Sequence, residues 1–271
     1  MTINTSRRKF LKGLGLAGLS TTFLPVLDTL PGLGAQARAS SGESPKIARQ
    51  WVRIIDLKKC DGCEGLGLEP QCRAAHRQVY RTREGEEWID VQKIEGGVGG
   101  SSYWMPIPCM HCENAPCVKV CPVGATYRNE NGTVLVDNRK CLGCRMCMAA
   151  CPYDRRFFYW DNREPLPGED LSKYSPEFPL PPIRGTVNKC VLCEKFTREG
   201  SLPVCVASCP RGAMYFGDLE SDVATNGVEK VSISKLLAEN SAYRYKEELG
   251  TRPRVYYLPG YGQEQGRDPR D

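Results

Sequence analysis

Histidine is almost missing from this sequence. Its 271 residues include two, His76 and His111, and no nucleophile, general base or substrate pocket is legible. Covalent haem is excluded, because it needs C-x-x-C-H and the C-x-x-C pairs are followed by Glu64, Glu113, Arg145 and Glu194. Nor is there a marked excess of one charge. Lys and Arg number 37 against 32 Asp and Glu, and residues 1–39 hold five of the bases and one of the acids. The remainder is close to neutral and offers no basic stripe to nucleic acid. After residue 40 no apolar run approaches the roughly 18–20 residues that span a bilayer. The mature chain is therefore expected to be soluble and to meet a membrane only through a partner. The length allows one large domain or two small ones with a sizeable core.

Cysteine is what the chain has in quantity. There are fifteen, an odd number that a disulfide framework would not predict. They form four groups: Cys60, Cys63 and Cys72; Cys109, Cys112, Cys117 and Cys121; Cys141, Cys144, Cys147 and Cys151; Cys190, Cys193, Cys205 and Cys209. The third group is C-x2-C-x2-C-x3-C-P, ending at Pro152, which is the bacterial ferredoxin run. The second and fourth keep the first C-x-x-C and the closing x3-C-P (Pro122, Pro210) and lengthen only the middle spacer. A cubane cluster needs thiolates from several directions. Three come from a tight loop; the fourth, one helical turn on, cannot bend back and ligates the other cluster of a pair. The proline then stops the helix. Structural zinc uses C-x2-C pairs but does not ask for three close thiolates followed by C-P. Disulfides suit an exported protein, but repeated C-x-x-C loops are poor disulfide geometry. The spacing points to iron–sulfur clusters.

The groups belong to a repeated unit. Asp56-Leu57-Lys58-Lys59-Cys60-Asp61-Gly62-Cys63 runs in register with Asp137-Asn138-Arg139-Lys140-Cys141-Leu142-Gly143-Cys144, and Cys121-Pro122-Val123-Gly124-Ala125 with Cys209-Pro210-Arg211-Gly212-Ala213. Strands are expected at Val52–Ile55 and Val134–Val136, a hairpin turn at Asn131-Gly132, and short helices at Met146–Ala150 and Ser232–Glu239.

Four complete groups need sixteen ligands, and the first group is one short. After Cys63 comes an enlarged spacer to Cys72, and His76 stands where the fourth cysteine belongs. A neutral imidazole can ligate iron and raises the potential relative to a thiolate. His76 is therefore expected to complete the set, the other outcome being a three-iron cluster. His111, between Cys109 and Cys112, is expected to be a loop residue that hydrogen-bonds near a cluster.

From Val52 onward the chain resembles the four-cluster subunit of membrane-associated molybdopterin oxidoreductases of the dimethyl sulfoxide, polysulfide and tetrathionate reductase type. The resemblance rests on the four groups, on Cys109-Met110-His111-Cys112-Glu113-Asn114-Ala115-Pro116-Cys117, and on Lys189-Cys190-Val191-Leu192-Cys193. It implies an α+β fold of two ferredoxin-like two-cluster modules packed as one unit, loop-rich, with short strands and helices. Four [4Fe-4S] clusters are implied. One takes Cys60, Cys63, Cys72 and Cys209, and its twin Cys190, Cys193, Cys205 and His76. The inner pair takes Cys109, Cys112, Cys117 with Cys151, and Cys141, Cys144, Cys147 with Cys121. The implied role is a non-catalytic electron relay, with a molybdopterin catalytic subunit and an integral quinone-reactive subunit or multihaem cytochrome as partners. A free-standing periplasmic polyferredoxin and a zinc-binding structural protein are the alternatives.

The organisation follows: 1–39 a signal peptide, 40–108 the first motif with a hairpin insertion, 109–156 the central two-motif module, 157–187 a Pro-rich insertion, and 188–271 the fourth motif with a C-terminal extension. Trp160–Thr186 carries six prolines and reads as a solvated extended loop. Arg155 and Arg156 read as a solvated pair, the alternative being that they face a cluster edge or a partner carboxylate, and Phe157–Trp160 read as packing and a strand. In the first segment Ser6-Arg7-Arg8-Lys9-Phe10-Leu11-Lys12 precedes a mildly apolar run, with small residues for cleavage after Ala37 or Ala39. This resembles a twin-arginine export signal and places the mature chain in the periplasm or on the outer face of the membrane.

Overall fold

A computed structural model describes residues 49–95, 102–161 and 174–260. The export segment, residues 162–173 of the Pro-rich insertion and the last eleven residues lie outside them, and with them the expectations made there.

Strands enter and leave the cysteine groups in a closed cycle. β1 (Trp51–Asp56) leads into the first group. β2 (Ile89–Ile94) leaves it and pairs antiparallel with β3 (Tyr103–Pro108), which leads into the second. β4 (Thr126–Arg128) and β5 (Val134–Val136) join the second group to the third in the same way. β6 (Phe157–Phe158) and β7 (Val187–Asn188) join the third to the fourth. β8 (Met214–Asp218) then leaves the fourth group and returns to pair antiparallel with β1. β9 (Val223–Thr225), β10 (Lys230–Ser232) and β11 (Val255–Leu258) complete a five-stranded sheet in the order β10-β9-β8-β1-β11, with β11 parallel to β1.

The sequence repeat reappears as a repeat of hydrogen bonds. Asp56 N–H donates to Ala213 O at 2.8 Å, and Asp137 N–H donates to Ala125 O at 2.8 Å. Ile55 then faces Met214 in one ladder, as Val136 faces Thr126 in the other. The turn between β4 and β5 closes through Gly132 N–H to Asn129 O, with Gly132 at φ 75°.

Helices follow the cysteines. Proline opens three of them, at Pro70, Pro116 and Pro203, each one or two residues before a third-position cysteine, a position where its missing N–H costs nothing. α2 (Pro116–Lys119), α3 (Met146–Ala149) and α5 (Val204–Ala207) each stop within two residues of a Cys-Pro pair, because the proline removes the next donor. α1 (Gln71–Tyr80) runs on for ten residues, since Arg77 and not proline follows His76. Its buried residues are Cys72, His76 and Tyr80, spaced by four and so stacked on one face. This longest helix was not anticipated. α4 (Glu194–Arg198) begins at Cys193, and α6 (Ile233–Glu239) is capped by the Ser232 hydroxyl, which accepts from Lys235 N–H.

The Cys-x-Gly-Cys loops require their glycines. Gly62 and Gly143 both sit in the left-handed region, at φ 60° and 71°. A Cβ would overlap the Trp104 ring at the first and the Gly185 carbonyl at the second. The main core runs from Trp51 and Ile55 of β1 through Ile107, Val134 and Met214 to Tyr257, and includes Cys72, Cys112 and Cys205. The cysteine loops are thus part of the core itself.

Candidate functional site

Three of the four ligand sets implied by the resemblance converge around shared, partly open spaces. Cys60, Cys63 and Cys72 meet Cys209 around a cavity of about 310 Å³, walled by Val91, Pro210 and Met214. Cys109, Cys112 and Cys117 meet Cys151 around about 330 Å³, with Met110, Val134 and Tyr153. Cys121 joins Cys141, Cys144 and Cys147 around about 300 Å³, with Val123, Ala125, Leu142 and Val187. In each case three sulfurs come from one group and the fourth from another. At the last of these, Cys144 is exposed, and so are Leu142 and Met146 beside it.

The fourth set is buried more deeply. Cys190, Cys193 and Cys205 are at most 2% exposed. Burial first, then the charges of Cys205 and Cys190, pushes the Cys193 thiol up to about 12. His76 is 1% exposed, and neither ring nitrogen has a hydrogen-bond partner. Its ring lies 5.8 Å from Trp88 and 6.2 Å from Tyr80, centre to centre. Tyr80 interacts electrostatically with Cys193, Cys190 and Cys205, and Arg53 interacts with all three and with His76. His76 therefore shares its neighbours with these cysteines. Burial, then Arg53, lowers its pKa to about 3, so the imidazole is neutral and both nitrogens' needs are unmet.

All fifteen cysteines are described, and none forms a disulfide. Among the described residues no three His, Cys, Asp or Glu side chains converge as a single metal ion would require. The sulfurs instead ring a space, which suits a group of several irons. Burial pushes Cys60 and Cys112 up to about 12. At Cys121 burial also raises the pKa, but the amides of Thr126, Val123 and Ala125 outweigh it and hold the thiol below its usual value. Amide N–H groups reach several sulfurs: Gln71 to Cys63 at 3.5 Å, Thr126 to Cys121, Leu192 to Cys190 and Val204 to Cys193 at 3.4 Å, and Ala213 to Cys209 at 3.3 Å. Such donors favour an anionic sulfur.

The surrounding charge points the same way. Arg53, Lys189, Arg156 and Arg254 are buried, against Glu194 as the one buried carboxylate among the described residues. Glu194 accepts from Asn131 Nδ2 at 2.7 Å and Thr133 Oγ1 at 2.8 Å, tying the β4–β5 turn to the fourth cysteine loop. Buried cations without counter-charges are costly; cysteines face Arg53 and Arg156, whereas Lys189 donates to backbone carbonyls and Arg254 lies near Glu113 and donates to Gln50. The residues present fit iron–sulfur clusters.

Arg156 corrects the expectation of a solvated pair. It is 4% exposed and faces Cys117, Cys147 and Cys109, with Nη1 donating to Thr126 Oγ1 at 3.3 Å. Arg155 is only part-buried and pairs with Asp90 at 3.6 Å. Lys189 was missed as well; its Nζ donates to the carbonyls of Val134 and Cys190. His111 behaves as expected: its Nδ1 accepts from Val134 N–H at 3.2 Å, and it lines the second cavity. Phe157 and Phe158 form a strand as expected.

A family model described as a 4Fe-4S dicluster domain matches residues 101–165 and 182–219, so the chain carries clusters of that type. The chain is 33% identical over 299 residues to a selenate reductase subunit of Mesobacillus selenatarsenatis, spanning 95% of this chain and 98% of that protein. It is 31% identical to a tetrathionate reductase subunit of Salmonella typhimurium, spanning 94% and 89%. It is also 31% identical to the Hdr-like menaquinol oxidoreductase iron-sulfur subunit 1 of Archaeoglobus fulgidus, spanning 93% and 97%. The chain belongs to this family of reductase iron–sulfur subunits and serves in electron transfer.

Proposed function

We propose that this chain relays electrons through four [4Fe-4S] clusters inside an exported reductase complex. It would stand between a molybdopterin catalytic subunit and a quinone-reactive membrane subunit or cytochrome. The observation that carries the reading is the reciprocal supply of sulfurs: three cavities, each ringed by three cysteines of one group and one of another. That is the exchange a two-cluster ferredoxin unit requires. The equivalent bonds of Asp56 to Ala213 and Asp137 to Ala125 support two such modules. Segment 109–156 would form the central one, segments 40–108 and 188–271 the other, with 157–187 inserted between.

Bound clusters supply one-electron storage at potentials tuned by ligand type, burial and hydrogen bonding. The chain's own residues do the tuning. Amides aimed at the sulfurs and the buried Arg156 stabilise negative charge, while Met110, Val134 and Tyr153 help keep water from the second cavity. His76 would complete the set of Cys190, Cys193 and Cys205; its unpartnered nitrogens and neutral state support this. The relative named for menaquinol oxidation supports a quinone-linked partner. Among the described residues no helix is long and apolar enough to cross a membrane, so any membrane anchorage among them would come through that partner. Export by the twin-arginine route rests on Arg7 and Arg8.

The test is purification of the tagged chain from its own host. A large catalytic subunit and a membrane subunit should co-purify, and reduced clusters should regain their visible absorbance when the catalytic subunit's oxidant is added. A chain recovered alone, with clusters that no co-purified subunit can oxidise, would favour a free polyferredoxin.

A further inference from the structure

One buried guanidinium has no ordinary counter-charge. Arg53 interrupts the apolar run of β1 and is 1% exposed. Strand alternation sets it in the row of Trp51 and Ile55, whose core contains Cys205. None of its three guanidinium nitrogens meets an oxygen or nitrogen acceptor, and its one hydrogen-bonding side chain is the Cys190 thiol. Glu194, the one buried acid among the described residues, is committed to Asn131, Thr133 and Arg198. The charges that act on Arg53 are those of Cys205, Cys190 and Cys193. From the buried face of α1, His76 also presents two unpartnered ring nitrogens here, and Tyr80 reaches Cys193.

We propose that Arg53 is a redox-tuning residue, the fixed counter-charge that raises the reduction potential of the cluster held by Cys190, Cys193, Cys205 and His76. This rests on the cluster assignment proposed above. Reduction adds one negative charge to the cluster, and a nearby fixed positive charge stabilises the reduced form more than the oxidised one. The site is buried, so neither water nor salt screens the effect strongly. His76 acts in the same direction by standing in for a thiolate. With three thiolates and a neutral imidazole the oxidised cluster keeps a single net negative charge, which one guanidinium balances. Arg156 differs: it faces cysteines of two sets and donates to Thr126, so its influence is shared. The cysteines that act on Arg53 all belong to one set, and its field also reaches His111 beside the second set.

The experiment is a redox titration of the full cluster-loaded chain, followed by electron paramagnetic resonance, for wild type, Arg53→Met and Arg53→Lys. In Arg53→Met one midpoint should fall by an amount equal to about a tenfold change in the reduction equilibrium, ~59 mV for one electron. The other midpoints should stay in place, and Arg53→Lys should restore most of the loss. Arg53→Met midpoints that are unchanged, or that all move together, would overturn the proposal. If Arg53→Met loses the cluster, Arg53→Lys decides: a loaded cluster near the wild-type midpoint supports a need for charge, and a lost or equally lowered one overturns it. Iron and sulfide analysis of the wild type separates the two levels. Absence of clusters there sinks the functional reading itself, whereas loaded clusters indifferent to Arg53 sink only this inference.

Discussion

Replacing His76 by cysteine would return the first group to the pattern of the other three. The position suits it: His76 lies one turn after Cys72 on the buried face of α1, as Cys209 lies one turn after Cys205. The change puts an anionic thiolate where a neutral imidazole stands. In Rieske centres two imidazoles lift the potential from about −400 mV to between about −150 and +300 mV, so one is worth on the order of 100–300 mV. At 1% exposure His76 has little solvent to dilute that difference. His76→Cys should therefore lower one midpoint by roughly that amount and leave the others nearly unchanged. His76→Ala should give a three-iron cluster with its own paramagnetic signature, or lose the cluster. Redox titration with electron paramagnetic resonance reads both. An unaltered set of signals in His76→Ala would refute the ligand assignment while leaving the relay intact.

Export should depend on the arginine pair: with Arg7 and Arg8 changed to Lys, the precursor should stay in the cytoplasm with its clusters assembled, because a receptor reads the signal. Cell fractionation checks this, and normal export of the variant would contradict it. Glu194→Ala should destabilise the loaded protein by about 2–5 kcal/mol, since the buried Asn131 and Thr133 donors lose their acceptor. The half-exposed Arg198 adds little to that figure. The denaturant midpoint for loss of visible absorbance measures the change; a midpoint equal to wild type would rule it out.

The four cysteine groups could be read in the sequence from their C-x-x-C loops with a cysteine one turn later, whereas which groups exchange their last ligand was implied by the family resemblance. The strands at Val52–Ile55 and Val134–Val136 were legible from their apolar runs, and the duplicated Asp-x-x-Lys-Cys segments anticipated the matching bonds of Asp56 and Asp137. The length of α1 was not legible, because the proline that stops the other helices is absent after His76 and nothing local says how far the helix runs. β11 was missed because its partner β1 is two hundred residues away in sequence and the pairing is parallel. The buried cations escaped for a different reason. Lys and Arg are ordinarily exposed, and Arg156 beside Arg155 reads as a solvated pair. For Arg53 and Arg156 the opposing groups are cysteines that the fold assembles from distant positions.

The central claim is that the chain holds four clusters, and chemical analysis of anaerobically purified protein tests it most directly. Four complete ligand sets predict about sixteen irons and sixteen acid-labile sulfides per chain, with no cysteine titrating as a free thiol. About eight irons or fewer per chain, with the cysteines of two or more sets titrating as free thiols, would contradict it.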